Sequence, residues 1–104
     1  MSIVEKRVFF GKVGKADDLI EILREGDAIL NKHGVQIKTR ILTDYHSGRS
    51  DRLQAEWTFE NVSGMDTEFQ KIFENPAAAA EMGPWMGRLN GLIHHSEAEL
   101  WQER

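Results

Sequence analysis

Four side chains able to hold an ion or move a proton stand close together near the end of the chain: His94, His95, Glu97 and Glu99. In an extended segment successive side chains alternate faces, so His94 and His95 point apart and do not readily share one ion. His95, Glu97 and Glu99 do share a face, and Glu56 could join them in a mixed nitrogen and oxygen ligand set. Arg7 and Arg40 compete for the same carboxylates, which makes a salt-bridge network the better reading, with no metal or other cofactor expected. If the chain performs acid–base chemistry, His95, Arg40 and Glu56 are the candidate proton carriers and anion stabilisers. His33 closes a predicted helix, where a cation complements the helix dipole, and that place suits a dipole partner better than a haem ligand. Ser47, Ser50, Ser63 and Ser96 lack the G-x-S-x-G setting of a nucleophile elbow, and Gly11 and Gly14 are wrongly spaced to cradle a phosphate.

A second group of residues is apolar and adaptable. Met82, Trp85 and Met86 fall in one short segment, and Phe69 and Phe73 precede them at helical spacing. With Trp57 they are the candidate walls of a pocket for a small, largely apolar molecule. The same residue types at the same spacing also build ordinary cores.

Composition narrows the classes. At 104 residues the chain has room for one core, so residues 1–104 are expected to form a single domain. A hydrophobic fraction of 40% is too high for a disordered chain. The 17 acidic and 13 basic residues contain no basic run, so neither nucleic acid nor a membrane surface is an expected partner. The opening MSIVEKRVFF has no apolar leader core, and no window is long and apolar enough to span a membrane. With no cysteine, disulfides and thiolate chemistry are excluded, and a cytoplasmic protein is the expectation.

Hydrophobic periodicity supplies the elements that must position these groups. The cleanest alternation is Asp51–Glu60, where Leu53, Ala55, Trp57 and Phe59 face one way and Gln54, Glu56 and Thr58 the other. Ser2–Phe10 reads as a strand with Val4, Lys6, Val8 and Phe10 as its expected core face. Lys15–His33 reads as a helix with Leu19, Ile22, Leu23, Gly26, Ile29 and Leu30 inward and Gly34 as its left-handed stop. Val35–Tyr45 reads as a strand, and 46–50 as the loop that returns it to Asp51–Glu60 in an antiparallel hairpin. Ser63 and Asp66 resemble a capping box opening the next helix, which Asn75-Pro76 ends. A further helical segment starts at Pro76 with Asn75 as its cap, and Gly83-Pro84 should bend or break it. Leu92–Gln102 is the last strand.

The order strand, helix, strand, strand, helix, strand fits an α+β, ferredoxin-like βαββαβ two-layer sandwich with helices on one face of a four-stranded antiparallel sheet. The strands are expected in the spatial order 4-1-3-2, with Glu97, Arg7, Glu56 and Arg40 forming a row of alternating sign across the uncovered face. Ile3, Phe9, Leu42, Ile93 and Trp101 are expected to share that face. Such a mixed face suits a homodimer interface better than a surface meant only for water.

The stretch VEKRVFFGKVGKADDLIEILREGDAILNKHG resembles the opening of NIPSNAP-like proteins of the dimeric α/β-barrel superfamily, in which a similar strand runs through a K-x-G-K turn into a helix ending near H-G. AEWTFEN resembles the aromatic-centred strand and capped turn of the same family. The resemblance implies a homodimer whose sheets face each other and a pocket between sheet and helices in each subunit. It carries no catalytic residue over to this chain. Related barrels include antibiotic-biosynthesis monooxygenases, EthD-like proteins and haem-degrading monooxygenases, so a cofactor-independent monooxygenase is the alternative function and a haem or metal protein a further one.

Overall fold

The computed structural model of the protein describes residues 2–45 and 51–104. Its elements run β1 (Ile3–Gly11), α1 (Ala16–Lys32), β2 (Arg40–Thr43), β3 (Arg52–Phe59), α2 (Val62–Glu74), α3 (Pro76–Leu92) and β4 (Ile93–Gln102). The predicted loop 46–50, with Ser47 and Ser50, lies outside the described residues. One antiparallel sheet has the order β2-β3-β1-β4, which is the expected arrangement read from the other edge. The molecule measures 38 × 37 × 18 Å, so its thin dimension holds the sheet and one helical layer.

Residue types explain the ends of the elements. α1 stops where Gly34 takes φ +81, and Gly34 and Val35 donate back to the carbonyls of Asn31 and Leu30 at 3.1 and 2.9 Å. This is a Schellman closure, completed by the apolar pair Leu30 and Val35 in the core. α2 is capped by Asn61, whose side chain accepts from the Gly64 N–H at 2.7 Å, and not by the expected Ser63 and Asp66. The extended backbone required of a cap falls at Asn61, two residues upstream of the serine, which is already helical. Asn75 caps α3 through Ala77 and Ala78, with Pro76 at the first helical position, as expected. The expected bend at Gly83-Pro84 does not interrupt the helix, which runs unbroken to Leu92.

β2 is shorter than predicted. Val35, Ile37 and Thr39 alternate inward and are buried, yet only Arg40–Thr43 pairs with β3. The earlier part is held by side chains: Glu68 accepts from the Gln36 N–H at 3.0 Å, and Asp27 from the Thr39 N–H at 3.1 Å.

The register also reverses the expected faces of β1. Phe9 lies opposite Leu53 and is 3% exposed in the core, whereas Lys6 lies opposite Glu56 on one side and Glu99 on the other. Burial of Phe9 therefore sets the strand, and Lys6 takes the place predicted for Arg7. The row on the open face is Arg40, Glu56, Lys6 and Glu99, with ion pairs of 3.6 Å between Arg40 and Glu56 and 3.3 Å between Lys6 and Glu99. Glu97 is on the open face beside Val8. Ile3 and Phe9 belong to the helix side, and a bulge between Phe10 and Gly11 turns Ile93 into the core as well. The apolar members of the open face are Val4, Val8, Phe10, Leu42 and Trp101.

The helical layer is fastened where α3 crosses α1. Trp85 donates its indole N–H to the Ile22 carbonyl at 2.7 Å, and its ring lies where a side chain on Gly26 would be. Arg88 grips Glu25 through two hydrogen bonds of 3.0 and 2.6 Å, and Glu81 binds Lys32 at 2.7 Å and His33.

Three outcomes follow for stability. A Cβ on Gly26 would meet the Trp85 ring at 2.6 Å, so Gly26→Ala should lower stability by about 1–2 kcal/mol in urea melts, the overpacking outweighing the gain in helix propensity. Gly87→Ala, with open space around its Cβ, should raise it by about 0.5–1 kcal/mol. Lys32 first and His33 second hold the Glu81 carboxyl below its ordinary value of 4.5. A depressed carboxyl stabilises the fold fully above that value and loses its contribution as pH falls through the lowered one. Glu81→Gln should therefore be less stable than the parent at neutral pH, with the gap closing on acidification below 4.5.

Candidate functional site

Between the sheet and the crossing helices lies a cavity of about 310 Å³. Alternation along β1 and β3 sends Glu5, Arg7 and Trp57 into it from the sheet, and α1 contributes Leu23, Gly26, Asp27 and Leu30. Phe69, Ile72 and Phe73 come from α2 and Met82, Trp85 and Met86 from α3, because the helical repeat brings positions three and four apart onto one face. All six residues singled out as pocket walls in the sequence thus line one cavity. Phe73 is 81% exposed and Met86 44%, which marks the side where it opens.

The polar groups in this apolar chamber form two sets. In the first, Trp57 donates its indole N–H to the Thr39 hydroxyl at 2.7 Å, and that hydroxyl donates to an Asp27 oxygen. An indole nitrogen can only donate and a carboxylate can only accept, so the order Trp57 to Thr39 to Asp27 has one direction. The Thr39 N–H occupies the other Asp27 oxygen. This set is satisfied internally, and it fixes the orientation of Trp57, which with Met82 packs against both halves of the core.

The second set is incomplete. Arg7 donates to Glu5 at 3.4 Å, a long contact for an ion pair. Glu5 Oε2 and Arg7 Nε are both buried and find no hydrogen-bond partner among the described residues. Leaving such a group unmet costs about 1–3 kcal/mol, so this pair is the less settled of the two polar sets. On α2 the Lys71 ammonium and the Gln36 N–H hold the Glu68 carboxyl below the usual range.

The acid–base candidates from the sequence lie elsewhere. Arg40, Glu56 and His95 are on the open face, with the sheet between them and the cavity, and so are Glu97 and Trp101. His95 stacks on Phe10 with ring centroids 4.2 Å apart and approaches Glu97 at 3.7 Å, while Glu99 is engaged by Lys6. Arg7, expected with that row, faces the cavity. Sequence reasoning missed Glu5, Asp27 and Thr39. The one available signal was Thr39, a polar residue on the otherwise apolar face of Val35, Ile37 and Ile41.

No family model matches the chain, and no curated protein sequence matches it either. Solved structures do match. An uncharacterized NIPSNAP domain protein from Burkholderia xenovorans superposes with a TM-score of 0.75 at 17% identity, over 98% of this chain and 94% of that one. A NIPSNAP family protein from Agrobacterium tumefaciens gives 0.73 at 21% identity, over 99% and 86% of the two chains. SnoaB, a cofactor-independent oxygenase from Streptomyces nogalater, gives 0.69 at 14% identity, over 99% and 93%. The chain thus has the ferredoxin-like α+β fold of NIPSNAP domain proteins, a fold it shares with SnoaB.

Proposed function

We propose that the protein is a homodimer that takes a small, largely apolar molecule into the cavity between its sheet and helices. We place it in the cytoplasm, in keeping with a chain without cysteine. The observation that carries the binding reading is the cavity itself, which joins aromatic and Met walls to the side chains of Glu5, Arg7 and Asp27. Apolar walls of this kind supply affinity, and a few polar groups fix orientation.

The dimer reading rests on the open face. Trp101 and Leu42 are 56% and 37% exposed there, around two cross-strand ion pairs, on a sheet face that no helix of the described residues covers. Apolar area with a charged, wet centre is the composition of an interface between like surfaces.

A second reading, oxygenation of the bound molecule without a cofactor, draws its support from the likeness to SnoaB. In such a reaction the residues of the cavity would have to take up a proton from the substrate, and its carboxylates are Glu5 and Asp27. Dioxygen uptake with phenolic polycyclic compounds would show it; no uptake, with binding intact, would leave the protein a binding module.

Titration with naphthalene should raise the melting temperature, since a ligand at a hundred times its dissociation constant stabilises by about 2.7 kcal/mol. Met86→Trp, which narrows the mouth, should weaken that response. A melting temperature indifferent to naphthalene and to larger apolar aromatics alike would remove the binding reading. For the dimer, light scattering at micromolar concentration should give twice the 11.9 kDa of one chain. Val8→Glu, which sets a second carboxylate beside Glu97, should return it to the single-chain mass with its circular dichroism unchanged. A parent protein that scatters as one chain would end the dimer reading.

A further inference from the structure

Among the described residues, the charged side chains that line the cavity are Glu5 and Arg7 from β1 and Asp27 from α1. Arg7 donates to Glu5 at 3.4 Å, so these two opposite charges stand side by side and offset each other. Asp27 has no such counterpart. One of its oxygens accepts from the Thr39 N–H and the other from the Thr39 hydroxyl, and neutral donors satisfy a carboxylate without cancelling its charge. Lys38 shares an outer groove with Asp27 but does not line the cavity, and among the described residues no ion pair joins the two. The cavity therefore carries an excess negative charge, within aromatic and Met walls where charges are felt more strongly than in water.

We infer that the cavity selects a largely apolar molecule with a single positive charge, such as an arylalkyl amine in its ammonium form, over neutral and anionic molecules of the same shape. Its apolar body packs against Trp57, Phe69, Met82 and Trp85, and its ammonium group lies toward Asp27, where the charge of the cavity is not offset. The attraction is coulombic and requires no contact with the carboxylate oxygens. This deepens the ligand-binding reading and rests on it. Taking an ammonium out of water is costly unless an opposite charge stands nearby, and Asp27 supplies that charge. A neutral molecule leaves the excess as it is, and a carboxylate adds to it.

The test is calorimetric titration of the purified protein at neutral pH with naphthylmethylamine, naphthylmethanol and naphthoate, which share one ring system and differ in charge. The amine, protonated at that pH, should bind roughly tenfold tighter than the alcohol, with naphthoate weakest. Asp27→Asn keeps the shape of the side chain and removes its charge, so it should bring the amine to within about twofold of the alcohol and leave the alcohol's own affinity in place. Should that variant not fold, Glu5→Gln, which removes the other carboxylate of the cavity, should narrow the lead of the amine in the same direction. A parent protein that binds the alcohol as tightly as the amine, or naphthoate tightest of all, would overturn the inference and leave the apolar cavity reading standing. So would an amine preference that survives unchanged in either variant. Binding of none of the three would remove both.

Discussion

The close approach of α3 to α1 at Gly26 is the contact on which the upper layer depends. A glycine there lets the Trp85 ring lie against the helix and its N–H reach the Ile22 carbonyl, which buries a large aromatic group without leaving its nitrogen unmet. Arg88 with Glu25, and Glu81 with Lys32 and His33, add ion pairs between α3 and α1 with its C-terminal end. The crossing has a functional result. It holds Met82, Trp85 and Met86 above the sheet, and the space that remains beneath them is the cavity.

The lower layer depends on register. Lys6 stands between Glu56 and Glu99, and Phe9 stands against Leu53, so a shift of one residue along β1 would bury a lysine and expose a phenylalanine. Because the two faces of a strand are coupled in this way, the charges on the open face and the polar groups in the cavity are settled together. Lys6 outward requires Glu5 and Arg7 inward. The polar character of the cavity and the alternating row on the opposite face are two results of one register.

Within the cavity the two polar sets play different parts. Trp57, Thr39 and Asp27 use up their donors and acceptors on one another and so make a rigid wall. Among the described residues, Glu5 Oε2 and Arg7 Nε find no hydrogen-bond partner. A rigid polar wall beside aromatic and Met side chains is the arrangement expected of a site that accommodates a guest by shape.

The sequence by itself determined the order of the elements, the helix-facing side of β3, the inward stripe of α1, the stop at Gly34 and the membership of Trp57, Phe69, Phe73, Met82, Trp85 and Met86 in one apolar group. These depend on local periodicity and on backbone preferences that a few neighbouring residues decide. Tertiary structure decided what periodicity left balanced. Along β1 either face carries apolar and charged residues, Ile3 and Phe9 with Glu5 and Arg7 against Val4, Val8 and Phe10 with Lys6, and only the fit of Phe9 against the core broke the tie. The helix through Pro84 likewise follows from packing against α1, which outweighs a local break signal. Asp27 and Thr39 stand 12 residues apart, and their hydrogen bond exists only because the chain between them turns back at Gly34. Whether a charged side chain meets a partner, a ligand or water depends on atoms brought from other elements, and such neighbours have no trace in the spacing of a single strand.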